Sequence, residues 1–385
     1  MRRRILTVRR QDLVIGARKT AIIRAMTVGE SSFCAARIGW RGALPPLRDA
    51  QRFARVCAQH RAGYEMHDGE RTFNAQPAPR FLKRGIEANE RPAVGDFVIV
   101  EPGSPPHIVE ILPRRGALTR ASAGERYARQ VIAANVDVVL LLMGLDDGSN
   151  SRSINSARAE RYLALIEGSG AAPVVVLTKL DKLDAEAGHE ALAQLAARLP
   201  AGTPLHAING KDARSVMALD PYLTPGATAV LVGSSGAGKS TLTNTLLGES
   251  RMATAATRES DGRGRHTTTH RALLLLPRGA CLIDTPGMRE LKLTGEEELD
   301  VFADIEALAS RCRFADCGHG NEPGCAVRTA IDSGELDADR YANYLKLSGE
   351  REQQTEALAA RLHRKADDKT QTRALRQFYR DRERK

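Results

Sequence analysis

One eight-residue segment limits the fold of this 385-residue chain more than any other. Residues 233–240 read GSSGAGKS, which matches the phosphate-loop pattern GxxxxGK[ST]. An apolar run at 229–232 precedes the segment, and a helical pattern follows it. This strand, loop and helix context predicts an α/β fold with a largely parallel sheet, because a chance match in a Gly/Ser loop would lack both flanks.

The phosphate loop predicts a nucleotide site. Its glycines let successive backbone N–H groups turn towards the phosphates, Lys239 reaches the β and γ phosphates, and Ser240 offers its hydroxyl to Mg²⁺. The loop alone leaves ATP and GTP open. The residues predicted to hold the nucleotide here are Gly233, Ser234, Ser235, Gly236, Ala237, Gly238, Lys239, Ser240 and Thr241.

A second segment indicates which nucleotide base the site binds. Residues 178–181 read TKLD, follow the apolar run 174–177, and match the [NT]KxD pattern of guanine-binding proteins. The Asp181 carboxylate can accept both N1–H and N2–H of guanine, two donors that adenine lacks. An exposed turn is the alternative for so short a pattern, but its place after a strand favours a guanine reader. The residues predicted for it are Thr178, Lys179 and Asp181.

Two further segments suit the γ-phosphate side of such a site. Residues 284–287 read DTPG, matching DxxG, whose Asp holds Mg²⁺ through water and whose Gly N–H contacts the γ-phosphate. Residues 262–269 read GRGRHTTT and predict a switch that orders around the γ-phosphate and Mg²⁺, with a plain surface loop as the alternative. Either threonine 267 or 268 would bind the metal. The predicted catalytic residues are His266, Thr267, Thr268, Asp284 and Gly287.

The residue after DTPG bears on how water attacks the γ-phosphate. Many G proteins place Gln there, whereas this chain has Met288. A thioether is a weak acceptor and donates nothing to hold a water molecule. We therefore predict that His266, or a group supplied by a partner, positions the attacking water.

The order of the segments is that of a permuted domain. Asp181 lies 52 positions before Gly233, whereas ordinary GTPases carry [NT]KxD after DxxG. This order predicts a circularly permuted GTPase domain, since the segments lie on loops at one edge of a sheet wherever the chain is cut. The chain after Gly287 then leads directly into the C-terminal region.

Four metal-binding side chains lie within 14 residues: Cys312, Cys317, His319 and Cys325. Three thiolates and one imidazole can form a closed tetrahedral Zn²⁺ site, and a site with four protein ligands is structural rather than catalytic. Unrelated reduced cysteines are the alternative. The segment predicts one structural zinc ion.

Positive charge is concentrated at the two ends of the chain. Residues 1–24 carry eight Arg or Lys against one Asp, and residues 361–385 carry ten against four acidic residues. Basic ends on a near-neutral body favour a polyanionic partner such as RNA, with solubilising tails as the alternative. The longest apolar runs are far shorter than the roughly 18 residues that a membrane helix needs.

Patterning divides the chain into four parts. Residues 1–45 predict a disordered basic arm, and 46–120 hold short β-like runs between turn signals, typical of a small β-barrel. Residues 125–292 form the predicted GTPase domain. Residues 293–385 read as helices around the cysteine-rich loop, followed by a basic tail.

Taken together, these segments make the chain from about residue 50 to 385 resemble the circularly permuted ribosome-assembly GTPases of the RsgA (YjeQ) family. The resemblance implies an α/β circularly permuted P-loop GTPase domain, an N-terminal OB-type β-barrel and a C-terminal α-helical zinc-binding domain. In place of the family's Ser-Ala motif, which backs the base, this chain carries Ala207-Ile208-Asn209.

The same resemblance implies a function. It implies GTP hydrolysis during late maturation of the small (30S) ribosomal subunit, stimulated by that subunit, with one structural Zn²⁺ and with Mg²⁺ bound beside GTP. The implied partners are GTP or GDP and the small subunit with its rRNA. No membrane is implied, and the expected protein is a cytoplasmic monomer.

Two other classes of function remain open from the sequence. One is a metabolic P-loop enzyme such as a kinase, and the other is an RNA-binding protein with a passive nucleotide. The TKLD and DTPG segments favour the GTPase over the kinase. An assay of GTP turnover with and without small subunits separates the GTPase from the passive binder.

Overall fold

The computed structural model describes residues 34–83, 86–121, 129–144, 155–179, 181, 185–249, 271–285 and 293–383. The strands in these ranges are β1 Arg52–His60, β2 Gly63–His67, β3 Thr72–Pro77, β4 Phe97–Glu101, β5 His107–Ile111, β6 Ala117–Ala121, β7 Arg129–Ala134, β8 Val138–Gly144, β9 Ala172–Thr178, β10 Leu205–Ala207, β11 Thr228–Gly233, β12 Ala272–Leu275 and β13 Cys281–Asp284. The α-helices are α1 Pro79–Leu82, α2 Ser156–Glu167, α3 Ala185–Ala196, α4 Ala213–Val216, α5 Lys239–Leu247, α6 Ala303–Ala309, α7 Ala326–Ser333 and α8 Ala338–Glu383.

Strands β1 to β5 close into a five-stranded barrel. Their order is β1-β2-β3-β5-β4, and β4 pairs back onto β1. The β3–β5 pair is parallel, whereas the other pairs are antiparallel. Apolar side chains such as Val56, Met66 and Ile108 fill the interior. The OB-type barrel implied by the resemblance is confirmed.

The segment just before the barrel corrects the predicted disordered arm over 1–45. Ile38 is buried, and the Trp40 ring lies edge-on to Phe53 and Phe97, with centroids 5.0 and 4.9 Å away. An indole that covers two other aromatic rings buries a large apolar area, which favours a fixed position. Residues 34–45 therefore belong to the barrel's surface layer, while the rest of the arm lies outside the described residues.

The second layer of strands forms the predicted GTPase sheet. Its order is β10-β9-β8-β11-β13-β12, in which only β12 runs antiparallel to its neighbour in the sheet. The carboxyl ends of the parallel strands meet at one edge: Gly144 lies opposite Thr178, and Leu231 lies opposite Asp284. Strand β12 also pairs with β1, so the sheet continues into the barrel.

A buried guanidinium joins the barrel to the sheet. The Arg55 side chain is fully buried and lies over the Phe97 ring, 4.6 Å from its centroid. It donates hydrogen bonds to the carbonyl oxygens of Ile38, Gly95 and Asn135 and to Thr228 Oγ1, at 2.7 to 3.2 Å. The four acceptors lie in the segment before the barrel, in the barrel, between β7 and β8, and at the start of β11. One side chain therefore joins four separate segments of the chain.

The C-terminal part is helical and ends in one long helix. Helix α8 has 46 residues, a length of about 69 Å at 1.5 Å per residue. Its Glu350 pairs with Arg161 of α2 at 2.7 Å, and its Arg361 lies 3.5 Å from Glu87 of the barrel region. Within the described ranges, no helix is both long enough and apolar enough to cross a membrane.

Candidate nucleotide site and metal centre

The predicted phosphate loop lies where β11 meets α5. Gly233 ends the strand with φ +144°, and a Cβ there would lie 2.4 Å from the carbonyl oxygen of Leu142 on β8. Gly238 precedes the helix with φ +87°, in the left-handed region that favours glycine. The residues from Gly233 to Thr241 therefore form one tight strand-to-helix turn, which brings the predicted phosphate-binding residues together.

Lys239 at the start of α5 and Asp284 at the end of β13 are both buried, and their charges interact. The Lys239 ammonium donates to the carbonyl oxygens of Gly233 at 2.7 Å and Ser234 at 2.6 Å. Burial lowers the pKa of Lys239 to about 8, although the nearby Asp284 opposes that shift. Burial likewise raises the pKa of Asp284 to about 6 against the effect of Lys239. Each group thus stabilises the charged form of the other in a poorly solvated place.

The predicted base reader is tied directly to the phosphate loop. Thr178 ends β9, and its Oγ1 lies 2.8 Å from the carbonyl oxygen of Ala237, to which it donates a hydrogen bond. A Cβ on Gly238 would lie 3.4 Å from the same hydroxyl, which is ordinary contact, so the positive φ rather than lack of space favours glycine there. This contact spans 59 positions of sequence and joins the two predicted halves of the nucleotide site.

Asp181 meets a residue that the sequence analysis missed. Its Oδ2 lies 3.1 Å from the Nζ of Lys211, which follows β10. No local sequence pattern marks Lys211, because it reaches this edge of the sheet only through the pairing of β10 with β9. The base-side loop extends beyond Ala207-Ile208-Asn209, because Lys211 makes the contact with Asp181.

The four predicted metal ligands converge. The ligand atoms of Cys312, Cys317, His319 and Cys325 all lie within 4.8 Å of one another. His319 Nδ1 is 3.5 Å from the sulfur atoms of both Cys312 and Cys325. A set of three thiols and one imidazole this close fits a tetrahedral Zn²⁺ ion.

Backbone N–H groups support two of the sulfur ligands. The N–H of Ala326 points to the sulfur of Cys312 at 3.4 Å, and the N–H of Arg328 to that of Cys325 at 3.3 Å. Both donors lie in the first turn of α7, which Cys325 caps. Such donors stabilise thiolates and orient ligands around a metal.

Some predicted site residues lie outside the described part of the chain. These are His266, Thr267, Thr268 and Gly287, together with Met288. Their roles remain predictions. The described residues place the phosphate loop, Thr178, Lys179, Asp181 and Asp284 at one edge of the sheet and the cysteine cluster in the helical part.

Two family models match parts of the chain. The family model described as RsgA GTPase matches residues 111–294. A model described as ABC transporter matches residues 216–374, a range that contains the phosphate loop, a motif found in many nucleotide-binding proteins.

Curated relatives cover most of the chain. "Small ribosomal subunit biogenesis GTPase RsgA" of Xanthomonas axonopodis pv. citri is 56% identical over 312 residues, covering 80% of this chain and 83% of that one. The protein of the same name from Xanthomonas oryzae pv. oryzae is 52% identical over 338 residues, covering 84% and 90%.

Two solved structures share the fold. YjeQ from Thermotoga maritima is 26% identical with a TM-score of 0.53, covering 77% of this chain and 97% of that chain. The structure titled "YloQ, a circularly permuted GTPase" is 23% identical with the same TM-score, covering 81% and 98%. The likeness to YloQ supports the permuted order of the sheet.

Replacing Asp181 with Asn tests the base reader. An amide offers one acceptor and places a donor against guanine N–H groups, so we expect Asp181→Asn to weaken GDP binding about 100-fold. Xanthosine diphosphate should gain relative affinity, since its C2 oxygen can accept that donor. Competition binding of the two nucleotides measures the change, and a variant that keeps its full preference for GDP would show that TKLD does not read the base.

Proposed function

We propose, because this chain belongs to the RsgA GTPase family, that it hydrolyses GTP to GDP and phosphate while acting in late maturation of the small ribosomal subunit. The observation that carries this proposal is the hydrogen bond from Thr178 Oγ1 to the Ala237 carbonyl oxygen. It joins the segment that matches the guanine-binding pattern to the phosphate loop. A metabolic P-loop kinase is not favoured, because the relatives are named as assembly GTPases.

The residues at the sheet edge suit the roles of a GTPase. We assign Lys239 to the β and γ phosphates and Asp181 to guanine. Ser240 and Asp284 would hold Mg²⁺, since hydroxyl and carboxylate oxygens are ligands that this ion accepts. When bound, Mg²⁺ neutralises charge on the phosphates. Lys239 adds a fixed positive charge on the same side.

We also propose the finer assignments that the sequence suggested. Threonine 267 or 268 and Gly287 would contact the γ-phosphate side, and the cysteine cluster would hold one structural zinc ion. The domains would be the barrel at 46–120, the permuted GTPase domain at 125–292 and the zinc domain at 293–385. Acting on ribosomal subunits and rRNA, the protein would work in the cytoplasm as a monomer.

The proposed function predicts dependence on the partner. Since Met288 cannot orient a water molecule, turnover by the isolated protein should be slow, and docking on the subunit should accelerate it. Single-turnover hydrolysis with and without purified small subunits tests this at a stated ionic strength, because phosphate contacts make the association salt-dependent. Fast turnover alone, or no response to subunits, would contradict the proposal.

Replacing His266 with Ala separates water positioning from nucleotide binding. We expect the subunit-stimulated rate to fall by about 30-fold, within the range usual for a lost positioning or acid–base group, while GTP affinity changes little. The same single-turnover assay gives the rate, and equilibrium titration gives the affinity. An unchanged stimulated rate would remove His266 from the mechanism but leave activation by the subunit in place.

A further inference from the structure

The loop after β10 is held rigidly at the edge of the nucleotide site. The N–H of Ile208 donates to the carbonyl of Leu177 at 2.8 Å, which extends the sheet by one residue. Thr245 Oγ1 of α5 donates to the carbonyl of Gly210 at 2.6 Å. The loop is therefore fixed to both the base-reader strand and the helix of the phosphate loop.

Two more contacts fix the same loop from within. The N–H of Asn209 donates to Ser215 Oγ at 2.9 Å, and the side chain of Asn209 accepts the N–H of Lys211 at 3.0 Å. The backbone of Lys211 is thus set by its neighbours, and its side chain extends from a rigid base. From there the ammonium reaches Asp181 Oδ2 across 30 positions of sequence.

The geometry of the Lys211–Asp181 pair leaves the carboxylate able to bind a guanine base. The Lys211 side chain is 72% exposed and that of Asp181 32% exposed, so water screens the pair and its attraction is weak by itself. A carboxylate has about four lone-pair sites on its two oxygens. It can therefore keep the ammonium on Oδ2 while it accepts N1–H and N2–H of guanine.

We propose that Lys211 is a specificity-determining residue of the guanine site, which orients the Asp181 carboxylate so that both oxygens face the base. The proposal rests on Asp181 as the guanine reader. A bound base excludes water from the ion pair, and the attraction between the two charges then increases. Lys211 thus acts through Asp181. It raises the affinity for a base that donates hydrogen bonds to both Asp181 oxygens relative to a base that donates to only one of them.

Inosine diphosphate provides the discriminating probe. It keeps N1–H but lacks the N2 amino group, so the ratio of GDP to IDP affinity reports the second acceptor of Asp181. We expect Lys211→Ala to weaken GDP binding about fivefold and IDP binding less than twofold, as measured by isothermal titration with the full-length protein. Lys211→Arg should restore the ratio, because a guanidinium keeps the positive charge and can donate a charge-assisted hydrogen bond to the Asp181 carboxylate.

Two controls make the result specific. Arg214→Ala removes one positive charge from the exposed face of α4, three positions away, and should leave the ratio unchanged. In an Asp181→Ala background, Lys211→Ala should have no further effect, since the two residues act as one unit.

Several outcomes would overturn the proposal. These are a GDP to IDP ratio in Lys211→Ala within a factor of 1.5 or so of the wild-type ratio, an equal loss in Arg214→Ala, or an undiminished effect of Lys211→Ala when Asp181 is absent. A wild-type protein without preference for GDP over IDP would overturn the assignment of Asp181 as well. None of these outcomes depends on ribosomal subunits, so they are distinguishable from a failure of the proposed role in assembly.

Discussion

The Cys317→Ala protein is expected to purify without zinc and with an unfolded C-terminal region, while its GTP site stays intact. Closed zinc sites contribute folding free energy directly, on the order of 10 kcal/mol in small zinc domains. Cys325 caps α7, and the N–H groups of that helix point to two of the sulfur atoms. Loss of the ion would therefore release the start of α7 together with the cysteine loop.

The nucleotide site should survive this change because other elements build it. Residues of β9, β11 and β13 and of the loop after β10 make the contacts of the nucleotide site. The cysteine loop contributes none of these contacts. Metal analysis, limited proteolysis and GDP titration measure the three parts of the prediction. Cys34→Ala is the matched control, since Cys34 lies outside the cluster. Native protein purified without chelator that contains no zinc would contradict the assignment.

The sequence predicted those parts of the fold that depend on contiguous patterns of residues. The phosphate loop lies between a strand and a helix because its glycines and flanking apolar runs are contiguous. The strands at 172–178 and 281–284 read as apolar runs because parallel strands are buried on both faces. The permuted order followed from the positions of these patterns alone.

The parts that the sequence did not predict depend on long-range contacts. Trp40 lies on the barrel because Phe53 and Phe97 happen to offer a matching face, and no local period marks that face. Lys211 looks like any exposed lysine until the sheet brings it to Asp181. Arg55 likewise reads as an ordinary strand residue, although its four acceptors come from four separate segments.

A buried ion pair fixes the long helix to the GTPase part and leads to the second large prediction. Arg340 of α8 is 8% exposed and donates to Glu160 of α2 at 2.6 Å, where the Glu160 side chain is fully buried. Arg340 also binds Asp304 at 2.8 Å, and Asn343 donates to Glu160 at 2.6 Å. Without Arg340, the buried Glu160 carboxylate would keep only the Asn343 hydrogen bond and the Arg198 guanidinium, which lies 3.7 Å away.

We expect Arg340→Ala to lower the free energy of unfolding by about 3 kcal/mol, the usual cost of removing one partner from a buried ion pair. Denaturant titration measures this loss. The control is Arg328→Ala, whose pair with Asp332 is more than half exposed on both sides and should contribute less than about 1 kcal/mol. Adding Glu160→Gln to Arg340→Ala should recover part of the stability, because no charge then remains buried.

The loss in Arg340→Ala should also depend on pH. Burial raises the pKa of Glu160 even though Asn343 and Arg340 oppose the shift, so without Arg340 the folded-state pKa must rise further. At pH values above the ordinary carboxyl pKa, the folded variant keeps the Glu160 proton that the unfolded chain has released. The free energy of unfolding of the variant therefore falls as pH rises through the folded-state pKa of Glu160. Denaturant titrations at pH 5 and pH 8 should show the larger loss at pH 8. Equal losses at the two pH values, or no recovery with Glu160→Gln, would mean that the helix is held by its apolar contacts alone.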